Sequence, residues 1–366
     1  MKKSDVLWSA RFSKPIADST LQFSSSIDLD KHLYREDITG SIAHVQMLAA
    51  KKLLTQKEAQ RIRKGLLEIQ RELEKGTLKL SWRQEDIHTA VEKRLIQKIG
   101  QLGGKLHTAR SRNDQVSLDE RLYLRKSIDE IHLAIRQLQR ALLRASRKYL
   151  GTLMPGYTHL QHAQPVLLSH HLLAYISMLQ RDDERLRDCR NRLNRSPLGA
   201  GALAGTSLPI DRKDVARRLQ FDGIAENSLD AVSDRDYVIE FAAASSILAM
   251  HLSRLSEELV LWSTREFGFL KIDDAYATGS SMLPQKKNPD VAELVRGKTG
   301  RVYGNLMNLL TIMKALPLTY NRDMQEDKFP MLDTTNTVRS CLTILAEMLS
   351  HSSFNVEELE GRARSD

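Results

Sequence analysis

The stretch from Thr278 to Glu293 sets Gly279, Ser280 and Ser281 in a turn, follows them with Lys286 and Lys287, and then places Asn288 and Pro289 before a long helical pattern. Asn is a favoured N-cap and Pro suits the first helical position, so Asn288 and Pro289 predict a helix start. A loop bearing hydroxyl and ammonium groups thus runs into a helix N-terminus. Backbone N–H groups there attract carboxylates, or negative charge that develops during a reaction. The same composition also describes a polar surface loop with an ordinary cap, and composition by itself leaves both readings open.

Two other segments combine turn residues with reactive side chains. Gly103 to Val116, GGKLHTARSRNDQV, is a glycine-opened loop that brings His107, Arg110 and Arg112 close in sequence. Met154 to Pro165, MPGYTHLQHAQP, carries His159 and His162, with His170 and His171 just beyond. No Cys lies near these histidines and no HExxH occurs, so proton donation or plain hydrogen bonding is the preferred reading over a metal site. Gly199 to Gly205, GAGALAG, superficially matches a dinucleotide fingerprint. That fingerprint needs a strand before it and a helix directly after, whereas a charged helical segment precedes it here, and a tight loop is the better reading.

Long helices must position these loops. After Val116 a helix of about forty residues is predicted, with Ile128, Ile131, Ile135, Leu138, Leu142, Ala145 and Tyr149 in alternating three-four spacing. The spacing returns from Val238 to Trp262, and less regularly from Leu172 to Leu193 and from Val295 to Met313. Helices this long support one another only in a bundle, so an all-α fold with four or five long helices is expected. Ahead of them, residues 1–28 read as an extended arm, 29–54 as helical, and Thr55 with Glu58 as a capping box opening a helix to about Gly76. Another helix follows Asp86, and QEDIH at Gln84 to His88 reads as its polar entrance.

The 366 residues, 41% hydrophobic and 28% charged, suit a globular protein with a sizeable core. The formal charge of +9 raises nucleic acid as a partner, but Lys and Arg are spread along helices and form no block. A solvated surface explains them better. Cys189 and Cys341 lack metal-type spacing and read as free thiols in a reducing compartment. With neither a secretory signal nor an apolar run of membrane-spanning length recognised, the expected location is the cytoplasm, with no membrane partner.

Taken together, the motifs resemble a known family. GSSMLPQKKNP is similar to the signature loop of the fumarase/aspartase superfamily, with Met282 and Leu283 in swapped order. GYTHLQHAQP resembles its second motif, and GKLHTARSRNDQ its third, in the form found in argininosuccinate lyases. EDIH at Glu85 to His88, NSLDAVSDRD at Asn227 to Asp236, TYNRDMQEDK at Thr319 to Lys328, and DITGSIAH at Asp37 to His44 extend the match along essentially the whole chain. Two departures stand out. Ser9 to Phe12 reads SARF where the family has Gly-Gly-Arg-Phe, and Ala109 replaces a Gly, which strains the turn if φ is positive there.

The resemblance implies reversible cleavage of argininosuccinate to arginine and fumarate, without metal or organic cofactor. Ser280 would be the base, Lys286 and loop N–H groups would stabilise developing charge, and His159 paired with Glu293 would help protonate the leaving nitrogen. Substrate contacts carried over by motif are Ser26, Asp30, Arg112 and Asn113 from the first third of the chain. Thr158, Arg235 and Asn288 follow from the middle, then Tyr320, Gln325 and Lys328. The implied architecture is a fumarase/aspartase-type long-helix bundle over residues 112–366, preceded by an N-terminal arm and small helical domain over 1–111. A homotetramer is implied, with active sites shared between subunits.

The family continues beyond the point where this chain ends, into a small C-terminal helical domain, so the resemblance implies a shortened chain. Another superfamily member such as adenylosuccinate lyase would need a different phosphate-binding set, and HTARSRNDQ and QEDK argue against it. A structural relative without turnover, like the lens crystallins derived from argininosuccinate lyase, is the alternative of a different class. Intact Ser280, His159, Lys286 and Glu293 favour an enzyme.

Overall fold

The computed structural model describes residues 15–365, so the SARF segment lies outside it. Contacts divide the described residues into two compact units: those up to 125 with 192–237 and 312–329 form the first, and 126–191, 238–311 and those from 330 onward the second.

The first unit contains α1 (Asp18–Ser24), α2 (Ile27–Asp30), α3 (Tyr34–Ala50), α4 (Gln56–Glu74), α5 (Ile87–Ile99) and the opening turns of α6 (Arg112–Lys148). It also holds α8 (Arg212–Arg218) and α9 (Ser228–Ser233). Thr55 Oγ1 accepts from Glu58 N at 3.2 Å and Glu58 Oε2 accepts from Thr55 N at 2.8 Å, which completes the expected capping box. Asp86 Oδ1 caps α5 by accepting from Thr89 N at 2.6 Å. Ile38, Val45, Leu48, Ile62, Leu66, Ile69, Val91 and Leu95 are buried together as the centre of this unit's core. The expected extended arm is corrected in its second part, where α1 forms. That helix buries only Leu21, too little apolar periodicity to read from sequence.

The second unit is built from the greater part of α6, with α7 (Leu168–Leu193), α10 (Asp236–Trp262), α11 (Asp290–Met313) and α12 (Lys328–His351), closed by the short α13 (Val356–Ala363). The predicted stripes are its core: Ile128, Ile131, Ile135, Leu138 and Leu142 of α6, and Phe241, Leu248, Leu252, Leu255 and Leu259 of α10, are all buried. α12 supplies a fifth long helix, burying Val338, Leu342, Leu345 and Leu349. The expectation of no membrane-length segment is corrected by α10, whose 27 residues are long and apolar enough to cross a bilayer. Most of that stretch, 61%, is buried inside the protein, as in a core helix.

Two short pieces differ from expectation. Met154–Pro165 is a two-stranded antiparallel hairpin, β1 (Leu153–Thr158) paired with β2 (Gln161–Leu167), instead of a loop. Its second strand is exposed almost throughout and both strands contain proline, so no apolar alternation marked it. At the start of α11, Asn288 pairs through its backbone with the preceding loop. Its backbone exchanges hydrogen bonds with Thr278, N to O at 2.8 Å and O from N at 3.2 Å, and the helix begins at Asp290.

Candidate active site

The first unit contains a cavity of about 220 Å³. Seven of the ten expected substrate residues line it: Ser26, Asp30, Arg112, Asn113, Tyr320, Gln325 and Lys328. Three distant segments are tied together to make it. Ser26 N donates to Glu85 O at 2.9 Å, and Ser25 Oγ to the same oxygen at 3.0 Å. Arg322 Nη2 and Gln325 Nε2 both donate to Ser24 O, at 2.8 and 3.2 Å. Glu85 itself lies at φ +67°, ψ −63° with Asp86 N bonded to Gln84 O at 2.8 Å, a strained γ-turn that aims the chain into α5.

Charge in this cavity is arranged before any ligand enters. The Lys328 ammonium is buried and lies 2.9 Å from Glu120 Oε1 and 2.8 Å from Asp327 Oδ1. Burial opposes its charge, but the two carboxylates outweigh burial and raise its pKa. Asp30 accepts from Ser26 Oγ through Oδ2, while Oδ1 is buried without a partner. Burial lifts the Asp30 pKa to about 6, with Lys328 and His88 pulling the other way. Arg112 is fixed by Gln115 Oε1 at 3.0 Å, Thr89 Oγ1 at 3.2 Å and Asp86 Oδ2 at 3.5 Å.

Arg235 is fully buried and does not line the cavity. It pairs with Asp327 and stands 3.1 Å from Glu120 Oε2, so it anchors the carboxylates that hold Lys328. Asn113 Nδ2 donates to Ala202 O at 3.0 Å, and neighbouring Asp114 Oδ2 accepts from Gly199 N and Gly201 N, each at 2.9 Å. Both glycines have positive φ, which is how the GAGALAG loop wraps the start of α6 without a nucleotide. The sequence reading missed Glu85, Asp86, His88, Thr89 and Arg322, which also line the cavity. EDIH was the available signal, read as a helix entrance and as a family match but not as a source of site residues.

The remaining site residues lie in the second unit and are exposed or half-buried. His159 and Leu160 form the two-residue turn of the β1–β2 hairpin, with φ +55° and +57°. Such a turn favours Asn and Gly, so a histidine there is strained. Thr158 borders a separate cavity of about 290 Å³ under the hairpin. Ser280 Oγ accepts from Met282 N at 3.3 Å and Leu283 N at 3.2 Å. Lys287 Nζ, not Lys286, is the lysine tied down, to Ile272 O and Asp274. Asn288 closes the loop base against Thr278, and exposed Glu293 stands 3.8 Å from Arg296 Nη2. Among the described residues, the bonds of Ser280 run to Met282 N and Leu283 N and the ion pair of Glu293 to Arg296, and none joins any two of His159, Ser280, Lys286 and Glu293.

Among the described residues, Asp37, His88 and Asp119 could share a metal ion by distance. Asp37 already accepts from Gln115 and feels the Arg110 charge, which suits a hydrogen-bonded network better.

A family model described as Lyase matches residues 10–304. Argininosuccinate lyase of Syntrophus aciditrophicus is 58% identical over 97% of this chain and 75% of its own length. That of Moorella thermoacetica is 57% identical over 98% and 77%. The chain belongs to the argininosuccinate lyase family. Among solved structures, EDDS lyase in complex with formate superposes with a TM-score of 0.81 at 30% identity, over 92% of this chain and 66% of that one, just under two thirds of its length. The class II fumarase of Schistosoma mansoni, at 17% identity and TM-score 0.80 over 93% and 80%, shares the fold. Both solved structures thus share the helical architecture described above.

Proposed function

We propose that this chain is a cytoplasmic carbon–nitrogen lyase that reversibly eliminates argininosuccinate to L-arginine and fumarate, a step of arginine biosynthesis. The observation that carries the reading is the first-unit cavity. It gathers seven family-motif residues from distant segments, in a chain 58% identical to an argininosuccinate lyase. Its side chains offer both signs of charge to one amino-acid end: Asp30 for an ammonium group, Lys328 and Arg112 for carboxylates.

The chemistry requires removal of a proton from a carbon next to a carboxylate. Ser280 is the proposed base. A serine hydroxyl serves as one only if its alkoxide is stabilised, and the N–H groups of Met282 and Leu283 already point to Oγ. Lys286 adds an exposed positive charge on the same loop. Glu293 orients and polarises His159, which helps to donate a proton to the departing guanidino nitrogen, directly or through water. Thr158 and Asn288 contact the substrate beside them. Arg235 acts by positioning Lys328. No organic cofactor or metal enters this scheme.

Assembly of the site calls for more than one copy, and a homotetramer with shared sites is the proposed state. Two features support it. His159, Ser280, Lys286 and Glu293 have no bonds to one another within a chain, although the scheme pairs them. On α11, Gly297, Gly300 and Gly304 have open space where a Cβ would stand, alongside exposed Leu294, Tyr303, Met307 and Leu310. Glycine inside a helix costs roughly 0.5–1 kcal/mol relative to Ala, and close approach of another helix compensates it.

Release of fumarate from argininosuccinate by the purified chain, followed by absorbance, tests the proposal with Ser280→Ala as control. Turnover that vanishes in the variant supports it. A folded, assembled wild type that releases no fumarate overturns it.

A further inference from the structure

Ser280 and Lys286 stand on a loop whose base is held by contacts the functional scheme does not use. Thr278 and Asn288 exchange backbone hydrogen bonds across that base, and Thr278 Oγ1 donates to the Asp290 carboxylate at the start of α11. One residue inside the bridge, Lys287 Nζ donates to Ile272 O and to Asp274 Oδ1. Above it, the bonds of residues 280–286 run to one another. Met282 N and Leu283 N donate to Ser280 Oγ, and Lys286 N donates to Leu283 O at 3.0 Å. The upper part of the loop therefore folds on itself and meets the second unit through its base.

The segment that receives Lys287 is firmly placed. Phe269, Leu270 and Ile272 are buried, Leu270–Lys271 pairs antiparallel with Ser353–Phe354, and Asn355 N donates to Phe269 O at 2.9 Å. The base above it is not packed down. A cavity of about 180 Å³ lies there, bordered by Leu270, Ile272, Ala277, Lys287, Asn288 and Pro289. With that space beside it, the base takes its position from polar anchors. The Asp274 side chain is 96% exposed, so its ion pair with Lys287 adds little to stability. What the ammonium does is geometric: it joins the returning limb of the loop to the segment ahead of the outgoing limb, and so restricts the direction in which the loop leaves the helix bundle.

We propose that Lys287 is a positioning residue for the reaction: by anchoring the loop base to Ile272 O and Asp274, it sets where Ser280 and Lys286 arrive when the loop closes. This rests on the proposed function, in which those two side chains act on the substrate. Lys287 works through the loop and touches no reacting atom. A reacting group misplaced by about 1 Å can lose about a hundredfold in rate, so a tether at the base has leverage over the chemistry.

The test is fumarate release from argininosuccinate by the assembled protein, read as kcat and KM, beside hydrogen exchange at the Thr278 and Asn288 amides. Lys287→Met should lower kcat about tenfold with KM within about twofold, because an interaction that orders the closed loop acts on the bound complex. Its melting temperature should not change, and the two amides should exchange about tenfold faster. Lys287→Arg keeps donors for both acceptors and should recover part of kcat. Asp274→Ala removes one of the two acceptors, should cost less, and should add nothing on top of Lys287→Met. Wild-type kcat in Lys287→Met overturns the proposal, and so does a raised KM at unchanged kcat, which would make Lys287 a direct substrate contact. Unchanged exchange at both amides overturns it whether or not the protein turns over. A wild type that releases no fumarate, while Lys287→Met loosens the two amides, overturns the functional reading and leaves the anchor standing.

Discussion

The first-unit cavity and the second-unit segments around His159 and Ser280 are built on opposite principles. Lys328 on the cavity wall is paired with buried Asp327 and Glu120 behind it, which Arg235 pairs in turn, so the cavity's geometry is set by the fold of one chain. Around Ser280 and His159 the side chains are largely exposed and the hairpin turn is strained. On the proposed reading, the contrast means that binding and chemistry are stabilised separately. A recognition cavity gains from being rigid before its ligand arrives, since ordering costs are then met during folding. A loop that must close over a substrate is drawn from weakly held structure.

Breaking each region should therefore have a different signature. The largest effect is expected from Ser280→Ala, which should lower turnover by about 10³-fold or more, measured as fumarate release, with an unchanged melting temperature. Lys328→Met should act on the fold as well. It leaves Glu120 and Asp327 buried with one cation fewer, at a cost of about 3–5 kcal/mol, measurable by denaturant titration. An intact melting profile in Lys328→Met would show that the cavity is less interlocked than its bonds indicate.

A third effect is a pH dependence confined to the cavity. Asp30 has a folded pKa of about 6, above its ordinary value of 3.8, so its charged form is disfavoured by the fold. Its contribution to stability therefore increases as pH falls through 6, while its capacity to neutralise an ammonium group disappears. Arginine affinity should drop by up to about tenfold per pH unit below 6, and Asp30→Asn should remove that slope. The smallest effect concerns Ala109, whose φ of +59° places it in the left-handed region as the departure from Gly anticipated. Ala109→Gly should raise stability by about 0.5–1 kcal/mol, since left-handed strain of roughly 1–2 kcal/mol exceeds glycine's added entropy cost.

The fold was legible wherever local pattern carried it. Three-four spacing marked α6 and α10, and Thr55 with Glu58 marked the start of α4, because these signals lie within a few residues. The β1–β2 hairpin was not legible, since its exposed second strand has no apolar face to alternate. The site divides in the same manner. Motif spacing pointed to the residues of the cavity, but nothing local distinguishes Arg235, which is buried behind it, from Arg112, which lines it. Asp37, His88 and Asp119 meet from three separate helices, a long-range pairing no single segment displays.

The most direct test of the central claim, that chemistry requires segments from separate copies, is to mix inactive Ser280→Ala and His159→Asn chains, unfold and refold them together, and measure fumarate release. If each site takes Ser280 and His159 from different copies, random mixing leaves about a quarter of sites with both native residues, and activity should return to about that fraction. If both residues come from the same copy, no mixed site is intact, and the absence of any recovery in well-folded mixed assemblies would contradict the account.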